Sequence, residues 1–154
     1  MQPKEGAMRY EELSQTHLPA LAKMYAEAFN APPWNDQWTD ETASRRLSLM
    51  VKSEGFYGLV CFGDGVLCGM ILGDLDPFYN GDQLYIREFC VALPLRGTGI
   101  GSMLLEEFER RLLAQGITKT YLVTSRTDDT EAFYRKRGYG SWDGMVMMGK
   151  RLDA

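Results

Sequence analysis

Apolar residues recur at helical spacing in four stretches of this chain. The first stretch covers about 16–29, where Pro19 is tolerated in the first turn, and the second begins at Thr39 or Asp40. The third covers 100–115 and the fourth 131–137, and each is followed by a glycine, which is a typical helix stop. The pattern therefore predicts four helices.

Between these helices lie short runs rich in β-branched and aromatic residues, which are typical of strands. The link Gly63-Asp64-Gly65 joins two such runs and predicts a hairpin, whereas the acidic and aromatic segment 73–82 is expected to be a loop. The predicted strands are 7–13, 56–62, 66–72, 84–92, 119–125 and a closing hairpin within 139–152. This order of strands and helices predicts one mixed α/β sheet with helices on both faces.

Three glycines lie at the junction between the strand at 84–92 and the helix at 100–115, in Leu95-Arg96-Gly97-Thr98-Gly99-Ile100-Gly101-Ser102. Glycine lets the backbone turn tightly and approach a ligand, and a helix start offers N–H groups that suit phosphate oxygens. Arg96 adds a cation. A P-loop is excluded because no Lys-Ser or Lys-Thr follows the glycines. A dinucleotide fingerprint is excluded because Ser102 stands where its last glycine belongs.

The residues that do match are R-x-x-G-x-G, and here the chain resembles the GNAT superfamily of acetyl-CoA-dependent N-acetyltransferases. The resemblance covers nearly the whole chain. It implies one domain over 1–154 with a mixed, mostly antiparallel sheet. Independently of the resemblance, Met8 is a candidate natural start, in which case 1–7 is expected to be a flexible extension. The resemblance also implies acetyl-CoA as cofactor. The residues implied to bind it are Cys90, Val91, Ala92, Arg96, Gly97, Thr98, Gly99, Ile100, Gly101, Ser102, Thr127 and Tyr134.

A second stretch, 132–139, resembles the family's other signature, in which a helix tyrosine precedes a basic turn, a glycine and an aromatic residue. Tyr134 occupies the place of that tyrosine, and its implied role is to hold and protonate the coenzyme A sulfur. On spacing alone Tyr134 reads as a core residue beside Phe133. The family often has an asparagine shortly before this helix, and Thr127 stands there instead.

Glu88 lies in a strand that is expected to be buried on both faces, where an unpaired carboxylate is costly. One explanation is an ion pair with Arg87 or solvent at an open end of the strand. The other, implied by the resemblance, is that Glu88 draws the proton off the acceptor amine. Arg87 and Glu88 can both face one groove only if a bulge interrupts the strand. Cys90 as an acyl-carrying nucleophile is disfavoured, since this family transfers acetyl directly.

Composition narrows the classes of function. The net charge of −4 argues against a nucleic-acid partner. No apolar run is long enough to span a bilayer, and the first residues do not resemble a signal peptide. The three cysteines, without C-x-x-C spacing, indicate reduced buried thiols and a cytoplasmic protein, and the single histidine leaves little for a metal site. His17 itself is expected to cap a helix or face solvent.

The acceptor is expected to be a small amine. Acidic residues flank the expected groove at Asp36, Asp40, Glu41, Asp74, Asp76 and Asp82, which favours a cation such as a polyamine, an aminoglycoside or a lysine-like amine. The expected substrate-binding residues are Trp34, Trp38, Asp76, Tyr79 and Tyr85. The alternatives are a non-catalytic acyl-CoA sensor and an interaction module of the same fold. Many family members dimerise, so a homodimer is one expected state.

Overall fold

The computed structural model describes residues 8–126 and 129–153 of the chain. These residues form two compact units, one ending at Val123 and the other beginning at Thr124. The first unit contains β1 (Met8–Glu12), a 3-10 turn (Gln15–His17), α1 (Leu18–Asn30), α2 (Asp40–Val51), β2 (Phe56–Gly63), β3 (Val66–Phe78), β4 (Gly81–Val91), a second 3-10 turn (Leu93–Leu95), α3 (Ile100–Ala114) and β5 (Lys119–Leu122). The second contains α4 (Thr130–Arg135).

The five strands form one sheet in the order β1-β2-β3-β4-β5. Neighbouring strands are antiparallel except for β4 and β5, which are parallel. The predicted fold class, an α/β fold with a mixed and mostly antiparallel sheet, is therefore confirmed. The assignment of the whole of 1–154 to one domain stays a prediction.

Helices cover both faces of the sheet, as the sequence predicts. On one face α1 and α2 pack on Val60, Met70 and Leu72. On the other face the α3 residue Leu104 lies beside Gly69, and Phe108 stacks on Tyr57 with 5.6 Å between ring centroids. Alternate residues of each strand thus contribute to two apolar layers. No helix within the described ranges is long and apolar enough to cross a membrane.

The helix boundaries follow from capping and glycine. Thr39 caps α2 by accepting a hydrogen bond from the Thr42 N–H, as one of the two predicted caps. Before α1, Ser14 precedes a 3-10 turn and its N–H donates to His17 Nδ1. His17 therefore has the capping role that was one of its two expected roles. Gly116, at φ +81°, follows α3.

Segment 73–82 is not a loop, contrary to the sequence-based expectation. β3 continues to Phe78 and β4 begins at Gly81, so that only Tyr79 and Asn80 form the turn. The glycine and the acids suggest a loop by composition, but Asp74, Leu75 and Asp76 alternate in the way a strand requires. The three acids lie on strands, and the side chains of Asp74 and Asp76 accept hydrogen bonds from neighbouring residues.

The closing hairpin predicted within 139–152 is also wrong, since residues 139–153 contain no strand. Met145, Val146, Met147 and Met148 are exposed, each by more than 70 %. A strand requires a partner to receive its backbone hydrogen bonds, and an apolar run by itself does not supply one. The described sheet has five strands, where the sequence pattern predicts seven.

Candidate functional site

A β-bulge in β4 is the feature that organises the site. Leu72 pairs with Glu88 and Gly73 pairs with Ile86, so Arg87 is an extra residue on β4 with no direct partner on β3. Side chains before and after a bulge change phase relative to the sheet. Arg87 lines a cavity under α2, and Glu88 bonds to α1 and α2, so the two consecutive side chains reach the same face. The bulge that would let both face one groove is therefore present.

Glu88 is only 7 % exposed, and its carboxylate is held by two donors. Tyr25 Oη on α1 donates to Glu88 Oε1 at 3.1 Å, and Arg46 Nε on α2 donates to the same oxygen at 2.5 Å. The ion-pair partner is thus Arg46, whereas the sequence analysis considered Arg87. Burial is the largest influence and raises the pKa of Glu88, although Arg46 and the hydrogen bonds oppose the rise.

Tyr25 and Arg46 were missed by the sequence analysis, although a signal existed. Ala43, Arg46, Leu47 and Met50 follow the i, i+3, i+4, i+7 spacing of one helix face, and the other three are buried. A charged residue at such a position needs a partner in the core. Tyr25 likewise lies among the buried residues of α1, and burial together with the Glu88 carboxylate raises its pKa.

Beyond the bulge, β4 separates from β5. Pairing between the two strands ends at Ile86 and Leu122. The Ala92 N–H donates to the Cys68 carbonyl oxygen of β3 at 2.8 Å. Because alternate N–H groups point to the same side of a strand, the Cys90 N–H also points to β3 and the Val91 N–H points away from it. Among Cys90, Val91 and Ala92, three of the residues implied to bind acetyl-CoA, Val91 therefore presents its N–H to the side that β5 leaves open.

The glycine segment has the backbone that its sequence predicts. Gly97 and Gly99 have φ of +75° and +87°, a region that favours glycine, and Gly99 is the N-cap of α3. A Cβ added at either glycine would meet no described atom within 4 Å, so it would project into open space in front of the helix start. Thr98 Oγ1 donates to the Leu95 carbonyl oxygen at 2.6 Å and closes the turn. Ile100, Gly101 and Ser102 form the first turn of α3, where a helix has unpaired N–H groups. These residues fit a phosphate-bearing ligand.

The Arg96 guanidinium serves the neighbouring loop. It donates to the Ala28 carbonyl oxygen and, at 3.1 Å, to the Pro32 carbonyl oxygen. It also lies over the Trp34 ring, 5.0 Å from the centroid. Arg96 thereby fastens the loop between α1 and α2 to the glycine segment, a role the sequence analysis did not foresee. A phosphate-binding role for this side chain stays a prediction.

Both tryptophans of the loop are anchored to the core. Trp34 packs edge-on against Phe29, and Trp38 packs edge-on against Tyr25, each with 5.1 Å between ring centroids. Trp38 also lines the cavity under α2. The two tryptophans therefore pin the loop to the core, and Trp38 is in addition placed to contact a ligand in the cavity.

The cavity has a volume of about 600 Å³ and lies between α2 and the parts of β3 and β4 that flank the bulge. Arg87 Nη1 donates to Asp74 Oδ2 at 3.2 Å, and its guanidinium lies 5.4 Å from the Tyr85 ring centroid. Asp74 Oδ1 is buried and accepts no hydrogen bond from any described group. The residues that line the cavity are Trp38, Thr42, Arg45, Arg46, Leu49, Met50, Ser53, Asp74 and Arg87.

The other residues expected to bind the acceptor lie outside this lining. Asp76 Oδ2 accepts hydrogen bonds from Tyr121 Oη at 2.8 Å and Gln83 Nε2 at 3.3 Å. Tyr85 stacks on Tyr121 with parallel rings, 4.8 Å between centroids. Tyr79 is 90 % exposed at the β3–β4 turn. Their role in acceptor binding stays a prediction.

Tyr134 lies in the second unit, near the end of α4. Its ring packs against Phe133 and Tyr139, with 5.3 and 5.5 Å between centroids. Gly138, at φ +91°, follows the helix as the sequence predicts. Thr127, the other expected coenzyme ligand in this region, lies outside the described residues.

The cysteines are free and buried, as expected. Burial raises the pKa of the Cys90 thiol, and the nearby Glu88 carboxylate raises it further. A thiol that stays protonated is a poor nucleophile. This supports the preference for direct transfer over an acyl-cysteine.

Comparison with known proteins agrees with this geometry. The sequence profile of the acetyltransferase (GNAT) family matches residues 18–139. An acetyltransferase of Sodalis glossinidius is 31 % identical over 121 residues, 78 % of each chain. The chain therefore belongs to the GNAT family of acetyltransferases. It is an N-acetyltransferase by class, as the glycine segment and the order of elements predicted.

Solved structures show the same fold at low identity. An aminoglycoside acetyltransferase from an uncultured soil metagenomic sample, in complex with sisomicin, has a TM-score of 0.75 at 19 % identity, over 96 % of this chain and 98 % of that one. An aminoglycoside N-acetyltransferase in complex with CoA has a TM-score of 0.72 at 15 % identity, over 94 % and 95 %. At such identities the likeness concerns the fold.

Proposed function

We propose that this chain transfers an acetyl group from acetyl-CoA to the primary amine of a small acceptor by direct attack in a ternary complex. The observation that carries the proposal is a buried carboxylate at a bulge, on the strand that leads into a glycine-rich helix start. Acetyl-CoA supplies the activated acyl thioester. The glycine segment would hold its pyrophosphate with the N–H groups at the start of α3. A solved structural neighbour is an N-acetyltransferase in complex with CoA, which supports this choice.

Glu88 is the proposed general base. An alkylamine with a pKa of about 10 is mostly protonated at neutral pH and cannot attack until it loses a proton. Burial raises the pKa of Glu88, which makes its carboxylate a stronger base than an exposed one. Arg46 and Tyr25 fix the position of the Glu88 oxygen that they share. The proton moves from the amine to this carboxylate, directly or through water.

Two further groups complete the proposal. The Val91 N–H would donate a hydrogen bond to the developing oxyanion, because it points to the side of β4 where pairing with β5 has ended. Tyr134 would hold a proton at Oη for the departing thiolate, as the resemblance implies.

The sequence favours a cationic acceptor, and the metagenomic structural neighbour is an aminoglycoside acetyltransferase, in complex with sisomicin. The positive charge of the cavity lining argues against that acceptor for this chain.

The coenzyme assignment can be tested by Gly99→Trp, since the new side chain would fill the space in front of α3. We expect acetyl-CoA binding to be lost in titration calorimetry. Gly116→Trp is a matched control, because Gly116 at the other end of α3 has a similar φ of +81° and equally open surroundings. Equal affinity for acetyl-CoA in both folded variants would refute the assignment. Release of free CoA in the presence of an amine distinguishes the three functions. An enzyme releases CoA, a sensor binds acetyl-CoA without releasing CoA, and an interaction module does neither.

A further inference from the structure

The cavity beside Glu88 is lined by an excess of positive charge. Arg45, Arg46 and Arg87 face it, against one lining carboxylate, Asp74. Two of these arginines are engaged, Arg46 by Glu88 and Arg87 by Asp74. Arg45 is exposed and has no salt bridge within 4 Å to any described acid. Counting Glu88 with the cavity, three guanidinium groups oppose two carboxylates and leave one positive charge in excess.

Three of the six acids that suggested a cationic acceptor accept hydrogen bonds from other side chains. Asp74 accepts from Arg87, Asp76 accepts from Tyr121 and Gln83, and Asp36 accepts from Trp38 Nε1 at 3.0 Å. Asp40 and Glu41 lie in the first turn of α2, where they complement the helix dipole. Of the six acids only Asp74 lines the cavity, and its salt-bridge partner Arg87 lines it as well.

We propose that the acceptor amine carries a carboxylate, and that Arg45 and Arg87 bind this carboxylate. The inference rests on the proposed transferase function and names its substrate class. A guanidinium presents paired donors that match a carboxylate. One excess positive charge matches one carboxylate, whereas a phosphate monoester carries nearly two negative charges. Trp38 and Leu49 line the same cavity and offer apolar surface to the rest of the acceptor.

Arg46 makes this arrangement compatible with a carboxylate base. Two carboxylates close together repel, and each raises the pKa of the other. The Arg46 Nε–Glu88 Oε1 contact of 2.5 Å places a positive charge between Glu88 and the cavity that Arg46 also lines. The acceptor carboxylate can therefore lie in the cavity while its amine approaches Glu88. An amino acid has this form.

The experiment compares matched acceptors. Free L-amino acids and their carboxamides keep the same amine and side chain and differ in the carboxylate, and O-phosphoethanolamine, spermidine and kanamycin complete the panel. The assay is release of CoA thiol. For the best pair we expect kcat/KM of the free acid to exceed that of the amide by at least about tenfold, the size of one charge-assisted interaction. The double variant Arg45→Gln, Arg87→Gln should bring this ratio close to one, mainly through KM.

The control variant is Arg110→Gln, an exposed arginine of α3 whose described partner is Glu107 and which should leave the ratio unchanged. The single variant Arg45→Gln covers the case in which the double variant fails to fold, because Arg45 is exposed and bonds to no described residue. This variant alone should lower the ratio of kcat/KM between free acid and amide. A binding arm needs no turnover. Calorimetry of the CoA-saturated protein with N-acetyl-L-amino acids and their amides should show the same preference, lost in the double variant.

Each outcome bears on one proposal. Equal rates for acid and amide, a polycation as best acceptor, or a ratio that the double variant leaves unchanged would overturn the carboxylate inference and leave the transferase standing. O-phosphoethanolamine as best acceptor would replace the carboxylate with a phosphate. Without CoA release from any amine the transferase proposal fails, and arginine-dependent binding of the N-acetyl acids would still support the anion site. No binding of these acids at millimolar concentration would overturn it.

Discussion

Replacing Arg46 with methionine removes the charged partner of Glu88 and keeps most of the apolar stem. The ion pair joins a side chain that is 39 % exposed to one that is 7 % exposed. At an effective dielectric constant of about 20, two unit charges about 4 Å apart attract by about 4 kcal/mol. Solvent around the guanidinium screens the pair, so we discount this by half, to about 2 kcal/mol. A carboxylate left buried without its partner is the physical origin of the loss.

A double-mutant cycle isolates the interaction. Wild type, Arg46→Met, Glu88→Gln and the double variant are unfolded with urea at a pH where Glu88 is ionised, and the coupling energy is taken from the four free energies of unfolding. We expect about 2 kcal/mol of favourable coupling. Replacing Arg46→Met by Arg45→Met gives the control cycle, because Arg45 is the neighbouring residue and makes no hydrogen bond or salt bridge to Glu88. A coupling equal to that of the control would refute the view that Arg46 balances the buried charge.

Three further predictions follow from the geometry. The pKa of Glu88 is raised, so the folded state holds its proton to higher pH than the unfolded state, and this contribution to the free energy of unfolding is present at low pH and lost as pH rises through the folded pKa. Urea unfolding of wild type against Glu88→Gln over pH should show it, and a difference that grows with pH would contradict it. Gly73→Ala should lower stability by about 2 kcal/mol or more in thermal unfolding, since its Cβ would lie 2.1 Å from the Tyr85 carbonyl oxygen, whereas Gly140→Ala meets nothing within 4 Å and should stay within about 0.5 kcal/mol of wild type. Tyr134→Phe should lower kcat by about ten- to a thousand-fold with acetyl-CoA affinity unchanged, and an unchanged kcat would return Tyr134 to a packing role.

The turn between β2 and β3 and the helices α2 and α3 were predicted correctly, because each is determined by residues close together in the sequence. The Gly63-Asp64-Gly65 link makes the β2–β3 turn, with Asp64 and Gly65 both at positive φ, because those residue types tolerate that conformation. The apolar spacing of α2 and α3 predicted their buried faces, because residues three and four positions apart lie on the same side of a helix. Segment 73–82 was misjudged because its glycine, proline and acids outweighed a period of two. The residues around Met147 were misjudged because an apolar run was taken for a strand without a partner to pair with.

The sequence predicted the backbone of the glycine segment, which is contiguous, and missed the contacts that join distant segments of the chain. The glycine segment is one stretch of chain, and its positive φ values can be anticipated from the residues alone. The Arg46–Glu88 pair joins residues on α2 and β4, 42 positions apart, and the Tyr25–Glu88 bond spans 63. Neither pairing has a local signal beyond a polar residue at a buried spacing. The positive lining of the cavity is likewise a property of the fold.

The bulge in β4 has a consequence for how this chain is compared with its relatives. Up to the bulge, the odd-numbered residues Tyr85 and Arg87 face the helices α1 and α2. After it, the even-numbered residues Glu88 and Cys90 face them. A relative that lacks the extra residue would carry its inward carboxylate at a shifted place. At the 15 % and 19 % identity of the two solved structures, an alignment without a gap at Arg87 would then match Glu88 with a residue on the opposite face. Carboxylates equivalent to Glu88 in other members of the family are therefore found by matching side-chain direction. A one-residue insertion at the bulge changes which side chains face the groove, although it lengthens the strand by only one residue.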